Sequence, residues 1–288
     1  MNLDIVLSKI LGKPIHLYGV YHVGGGAISQ TYKVLTDVGA FFVKVKSSQT
    51  LPKLYEKECS GLKTLKETNT LTVANPIGSW QHEQYQYLVL EWIEEGPKLQ
   101  NYWEELGHGL AKLHLNKSKY FGFSEDNYIG SLAQLNSKSS NWSEFYIEQR
   151  LEPMVKKASD SGYLDSTMAK KLVQYYKLVE SVFPDESPAL LHGDFWKGNI
   201  LVNEIGKPVL IDPAVYFGHR EMDIAMTKFV GSFPKEFYGA YLETYPLVED
   251  WEYRMDFCLI YYQLVHLNLF GDSYLHQLSA NLDRWLDF

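Results

Sequence analysis

Only two cysteines occur in 288 residues, Cys59 and Cys258, far apart and in no metal-ligand spacing. That excludes a disulfide framework and argues against a structural zinc site. Long apolar runs are missing too: no stretch reaches the ~18 uninterrupted residues of a membrane helix, so no membrane partner is expected. No run of basic residues occurs and the net charge is −8, which speaks against nucleic acid as a partner. The one glycine cluster is not followed by Gly-Lys-Ser/Thr, so there is no Walker-type loop. The opening residues, MNLDIVLSKILGK, lack the basic start and small-residue cleavage site of a secretory signal. The expectation is a cytoplasmic protein and, with no exposed heptad, a monomer.

What is present points to two lobes. The first third is β-rich, with strands expected over 15–23, 29–36, 41–46, 77–82 and 85–93 and a turn at Asp37-Val38-Gly39. Helices are expected over 1–12, ended by Gly12 and Pro14, and over 50–67. Glu94-Glu95-Gly96-Pro97 reads as a linker. Beyond it the helical period takes over: Trp103, Leu106, Leu110 and Leu113, then Ile147 to Ala158, then Met168 to Phe183. Residues 120–143 read as an irregular loop, and helices resume over 222–231, 235–244 and 252–270. The fold class is therefore α+β: a small antiparallel β lobe with one main helix (1–94) and a larger, mainly helical lobe with one embedded hairpin (95–288).

The densest chemistry lies in residues 192–212, HGDFWKGNILVNEIGKPVLID. Asp194 stands five residues before Asn199, the D-x-x-x-x-N spacing of a phosphoryl-transfer loop. Two β-prone runs, Ile200-Leu201-Val202 and Val209-Leu210-Ile211, flank a turn. With the turn at 204–207, Ile200 faces Ile211, and Asn199 and Asp212 come side by side at the open end. A carboxylate and an amide oxygen so placed suit Mg²⁺. Asp194 is then the base for a substrate hydroxyl.

The β lobe supplies the nucleotide side. Gly24, Gly25, Gly26, Ala27 and Ser29 lie between two strands, where backbone N–H groups can point at phosphate oxygens; a plain hairpin turn is equally compatible. Lys44, on the strand face opposite Phe41, Val43 and Val45, is a phosphate ligand or a solvated strand lysine. Glu58 tips the choice. It falls in the apolar stripe of helix 50–67, four after Leu54 and four before Leu62, where a carboxylate needs a cation such as Lys44. Glu91, Trp92 and Ile93 end the last strand, where backbone groups would bind adenine. ATP and Mg²⁺ are the expected cofactors.

Trp196, two after Asp194, is a candidate for packing on substrate, and Trp142 is a second. Tyr216, His219, Arg220 and Glu221 follow Asp212 and would line the same mouth. For Arg220 an ion pair with Glu221 or Asp223 is the alternative. Asp223 reads as a cap or a brace for the catalytic loop, His192 as a loop-shaping hydrogen bonder, and His114 as a core histidine.

The whole chain resembles the fructosamine kinases, also called ketosamine-3-kinases, within the protein-kinase-like fold. The resemblance rests on His192-Gly193-Asp194-Phe195-Trp196-Lys197-Gly198-Asn199, on Ile211-Asp212-Pro213-Ala214 and on Tyr216-Phe217-Gly218-His219-Arg220-Glu221. Gly25-Gly26-Ala27-Ile28-Ser29, Phe42-Val43-Lys44-Val45, Glu58 and Phe121-Gly122-Phe123 match in order. It implies ATP-dependent phosphorylation of the C3 hydroxyl of an amine-linked ketose, small or protein-bound, whose 3-phosphate then sheds the sugar. Asp194 is then the base, Asn199 and Asp212 hold Mg²⁺, Lys44 and Glu58 form the phosphate-positioning pair, and Trp196 flanks the sugar. Pro213 follows Asp212 where protein kinases have Phe-Gly, so their movable switch is not implied. Ala27 stands where some members carry Cys, so a disulfide switch is not expected. A kinase of another hydroxylated amine, such as an aminoglycoside or choline, and a nucleotide-binding protein without turnover are the competing readings.

Overall fold

The computed structural model describes residues 2–24, 29–49 and 51–286. In chain order come α1 (Leu3–Leu11), β1 (Leu17–His22), β2 (Gln30–Thr36), β3 (Gly39–Ser47), α2 (Leu54–Glu67), β4 (Thr72–Val73), β5 (Pro76–His82), β6 (Tyr85–Glu91) and α3 (Tyr102–His114). Next are β7 (Asn127–Ile129), β8 (Leu132–Gln134), α4 (Trp142–Phe145), a π-helical turn (Tyr146–Leu151), α5 (Glu152–Asp160) and α6 (Ser166–Val182). The chain continues with β9 (Ala189–Leu191), β10 (Ile200–Val202), β11 (Pro208–Leu210) and β12 (Tyr216–Gly218). It closes with α7 (Glu221–Phe229), α8 (Lys235–Thr244), α9 (Trp251–Phe270) and α10 (Leu275–Trp285). Two compact units emerge: Met1–Tyr102 with Ile200–Pro213, and Trp103–Asn199 with Ala214–Phe288.

The first unit is built on an antiparallel sheet in the order β1-β2-β3-β6-β5. Alternation along β3 and β6 turns Phe41, Val43, Val45, Tyr87 and Val89 to one face, where they pack with Leu3, Val6 and Leu7 of α1. α1 stops at Gly12, which takes φ 70° as a left-handed cap. The opposite face carries Lys44, paired in register with Leu88 of β6. α2 sits on that side, burying Leu54, Tyr55, Cys59, Leu62 and Leu65 by helical period.

The β10–β11 hairpin belongs to this first unit, not to the helical half where the division at residue 94 would put it. β11 runs parallel to β4, with Val209 beside Thr72 and Leu210 beside Val73. Its register also differs from the expectation: Ile200 faces Leu210, not Ile211. The turn is one residue shorter than the four assumed. Asn203 and Lys207 pair directly, Asn203 N donating to Lys207 O at 3.0 Å. Asn203 Oδ1 accepts from Lys207 N at 2.9 Å, and Gly206 turns the chain at φ 83°.

The second unit is mainly helical. α9 is its central helix, with Phe257, Cys258, Ile260, Tyr261, Tyr262, Leu264, Val265 and Leu267 all buried. A helix apolar around most of its circumference must be covered on most sides. Two short ladders interrupt the helices. β9 pairs antiparallel with β12, setting Leu191 beside Tyr216. β7 pairs with β8, so the stretch expected as irregular loop contains a hairpin. Three-residue strands are too short for alternation to stand out in a sequence.

Candidate active site

In the first unit, the Lys44 ammonium lies 2.8 Å from Glu58 Oε1 and 2.6 Å from Asp212 Oδ1. β3 presents Lys44 on its α2-facing side, and α2 brings Glu58 over it. Both side chains are largely enclosed, at 8% and 14% exposure. Burial opposes the ammonium's charge, but the neighbouring Asp212 and Glu58 outweigh it and hold its pKa above the ordinary lysine value. The paired reading of Glu58 is therefore realised. Asp212 follows β11 with φ 53°, a left-handed conformation uncommon outside glycine. Its carboxylate remains 41% exposed. Such local strain clusters at functional positions.

In the second unit, residues 192–199 form a tightly braced loop. Asn199 Nδ2 donates to Asp194 Oδ2 at 2.8 Å and to the Asp194 carbonyl at 2.9 Å. The amide thus fixes the rotamer of the expected base. Gly193 has φ 83°, and a Cβ there would overlap the Ala214 carbonyl oxygen, so only glycine fits. Behind the loop, Asp223 is fully buried. Its carboxylate accepts from His192 N at 2.7 Å, Gly193 N at 2.9 Å and His114 Nε2 at 3.2 Å. His114 accepts in turn at Nδ1 from the Tyr241 hydroxyl, at 2.8 Å. Burial lowers the His114 pKa, more than Asp223 raises it, so the ring stays neutral. Asp223 is a brace, not a first-turn cap, and His114 a core histidine. Tyr262 adds a hydroxyl donor to Gly193 O at 3.2 Å.

A second brace was not foreseen. Ala214 N donates to His192 O at 2.9 Å. Gln134 Nε2 donates to Ala214 O at 3.0 Å, and Asn127 Nδ2 to Val215 O at 2.7 Å. Asn136 joins Asn127 at 3.0 Å, and the buried Arg150 guanidinium donates to Asn136 Oδ1 at 2.8 Å. This chain of amides clamps the segment that begins two residues after Asp212. The clustering of Asn127, Gln134 and Asn136 in one short stretch was the available signal; buried amides need partners.

The remaining candidates divide sharply. Trp196 is half-buried, and its ring lies over Gly198, where a Cβ would overlap it. Glu91 ends β6, but its carboxylate accepts from Asn75 N at 2.8 Å and its own N–H donates to Asn75 O at 3.0 Å, which leaves neither group for a base edge. Trp92 Nε1 donates to Glu94 at 2.7 Å, and Lys33 lies over its ring at 4.1 Å; Ile93 follows, half-buried. Gly24 is exposed, and nothing among the described residues lies within 4 Å of where a Cβ would stand; Ser29 is half-buried. Gly25, Gly26 and Ala27 lie outside the described residues.

Five expected substrate residues are corrected. Trp142 opens α4 and is buried among Phe121, Phe145, Tyr146, Phe183 and His219. Tyr216 lies in β12 with no exposure, its ring 4.0 Å from the Arg150 guanidinium carbon. His219 is buried, and desolvation pushes its pKa down to about 3. Arg220 forks onto Glu186 at 2.7 Å, the partner neither alternative named, and Glu221 is buried against Arg254 at 2.7 Å. Sequence proximity to Asp212 suggested a mouth. Burial removes these side chains from a substrate, and Arg220 and Glu221 are held in internal ion pairs.

The antiparallel sheet with its buried Lys44–Glu58 pair and the mainly helical unit with its braced 192–199 loop are those of a protein-kinase-like fold. The sequence model of the fructosamine kinase family matches residues 2–288, and the chain belongs to that family. It is 40% identical to "Protein-ribulosamine 3-kinase, chloroplastic" of Arabidopsis thaliana, over 99% of this chain and 89% of that one. It is 36% identical to a "Probable ketoamine kinase" of Enterococcus faecium, over 99% of this chain and all of the other. A crystal structure of a candidate fructosamine-3-kinase from Thermobifida fusca superposes with a TM-score of 0.88 at 31% identity. That match covers 97% of this chain and 96% of the other. The chain is an ATP-dependent phosphotransferase acting on a hydroxyl group. Among the described residues no helix is long and apolar enough to cross a membrane.

Proposed function

We propose that this protein, a cytoplasmic monomer, phosphorylates the 3-hydroxyl of ketosamines and so initiates removal of the sugar from the amine. The observation that carries the reading is the hydrogen bond from Asn199 to the Asp194 carboxylate, inside a loop braced by Asp223. The names of the full-length relatives supply the substrate class.

In this reading Lys44 binds the α- and β-phosphates, oriented by Glu58. The carbonyls of Glu91 and Trp92 and the backbone of Ile93 would hold adenine, and backbone N–H groups of Gly24 and Ser29 would meet the phosphates. Asp194 accepts the proton of the sugar's 3-hydroxyl as its oxygen bonds to the γ-phosphorus and the bridging oxygen leaves with ADP. Trp196 flanks the sugar. The donor set suits Mg²⁺: Asp212 has a part-exposed carboxylate and Asn199 an amide oxygen. No described group of three or more His, Cys, Asp or Glu would hold a metal alone. Mg²⁺ accepts so few protein ligands because phosphate oxygens and water complete its shell. Bound there, it would neutralise phosphate charge; positioning is left to the protein.

Two measurements test this. Asp194→Asn should keep nucleotide binding while transfer falls by at least ~100-fold, the lower range for a lost general base. Product analysis should place phosphate on O3 of the ketosamine, followed by release of the free amine. Phosphate on another hydroxyl would overturn the proposed position of attack.

A further inference from the structure

Phe229, His266, Phe270 and Tyr274 form an aromatic cluster that none of the roles above uses. His266 is its hub, with ring centres 4.6 Å from Phe229, 5.1 Å from Tyr274 and 5.4 Å from Phe270. Phe270 and Tyr274 lie 6.0 Å apart, brought together by the chain reversal at Gly271, φ 88°. Phe270 is 52% exposed, the most exposed large aromatic among the described residues of the second unit.

Two separate connections tie the cluster to the catalytic loop. His266 sits one helical turn beyond Tyr262, whose hydroxyl bonds Gly193 O. On the other side, Lys197 of the loop donates to Ser232 O at 2.8 Å, three residues after Phe229. The hub is also chemically defined. His266 Nδ1 lies 2.9 Å from the Tyr262 carbonyl, which can only accept. The proton is therefore on Nδ1, and Nε2 carries a lone pair. Burial lowers this ring's pKa, so the lone pair persists at neutral pH. A half-exposed Phe270 and a half-buried Tyr274 beside a neutral acceptor suit a cation with N–H donors.

We infer that this cluster receives the protonated secondary amine of the substrate, on the faces of Phe270 and Tyr274 and at Nε2 of His266. The inference rests on the ketosamine reading and adds the feature that would distinguish an amine-linked ketose from a plain sugar.

The test compares a fructosyl-amine with the ether-linked analogue in which oxygen replaces the linking nitrogen. The readout is the ratio of kcat/KM values within one enzyme preparation, which a change in folded fraction does not move. Wild type should prefer the amine. Phe270→Ala and the better-packed Phe270→Leu should each shrink that preference roughly 3- to 30-fold, as expected for a lost cation–π contact, while Phe270→Trp retains it. An undiminished preference in the Ala and Leu variants overturns the inference. So does a wild type that turns over both substrates equally, and that result leaves the kinase reading standing. No wild-type turnover on either substrate overturns both.

Discussion

Lys44 shows how a single residue's surroundings set its role. A strand lysine in solvent would be unremarkable. Here two carboxylates lie within 2.8 Å of its ammonium, and one of them, Glu58, is only 14% exposed. Lys44→Met should cost on the order of 3 kcal/mol by stranding Glu58, and Glu58→Gln in the same chain should recover part of it. Urea unfolding of the single and double variants measures both. A Lys44→Met protein as stable as wild type would mean that the pair contributes nothing. Because the folded pKa of Lys44 is raised, its contribution is complete below the ordinary lysine value and is lost only as pH rises through the folded one. With Lys44 removed, burial drives the Glu58 pKa up further, so the deficit of Lys44→Met should shrink as pH falls and Glu58 takes up a proton. His219 behaves oppositely. Its pKa is depressed to about 3, so the unfolded chain binds a proton that the folded one refuses. Stability should fall as pH drops from about 6.5, by up to ~1.4 kcal/mol per pH unit for this group. His219→Gln should flatten that acid limb; an unchanged limb would contradict the assignment.

At the scale of elements, the catalytic loop owes its shape to partners distant in sequence. Asp223 of α7 collects two loop N–H groups and His114 of α3. Asp223→Ala leaves those donors unsatisfied in a dry site and should cost about 2–5 kcal/mol, with kcat falling as Asp194 loses its placement. Thermal unfolding and steady-state kinetics check this together; a variant with wild-type kcat would show that the brace is dispensable. What the sequence disclosed follows the same logic. Periodicity exposed Glu58 in the α2 stripe, and spacing exposed Asp194, Asn199 and Asp212. The hairpin itself was visible, but its register was read one residue off because the Asn203–Lys207 closure depends on a side-chain bond. Trp142, Tyr216, His219, Arg220 and Glu221 were placed near substrate by sequence order. Only three-dimensional packing shows them enclosed by Phe183, Glu186, Arg150 and Arg254. The β7–β8 hairpin and the amide clamp on Ala214 escaped for the same reason.

For the whole molecule, the antiparallel first unit carries the Lys44–Glu58 pair and the helical second unit the braced Asp194 loop. The family match spans residues 2–288 and so takes in both units. The acidic balance, net charge −8, favours a cationic amine over an anionic substrate. The central claim is ketosamine phosphorylation, and ATP consumption with Mg²⁺ tests it most directly. Ribulosyl-lysine and fructosyl-lysine would be compared with choline and kanamycin under one set of conditions. Turnover on a ketosamine, followed by release of free lysine, is the predicted result. Turnover confined to choline or kanamycin would contradict it.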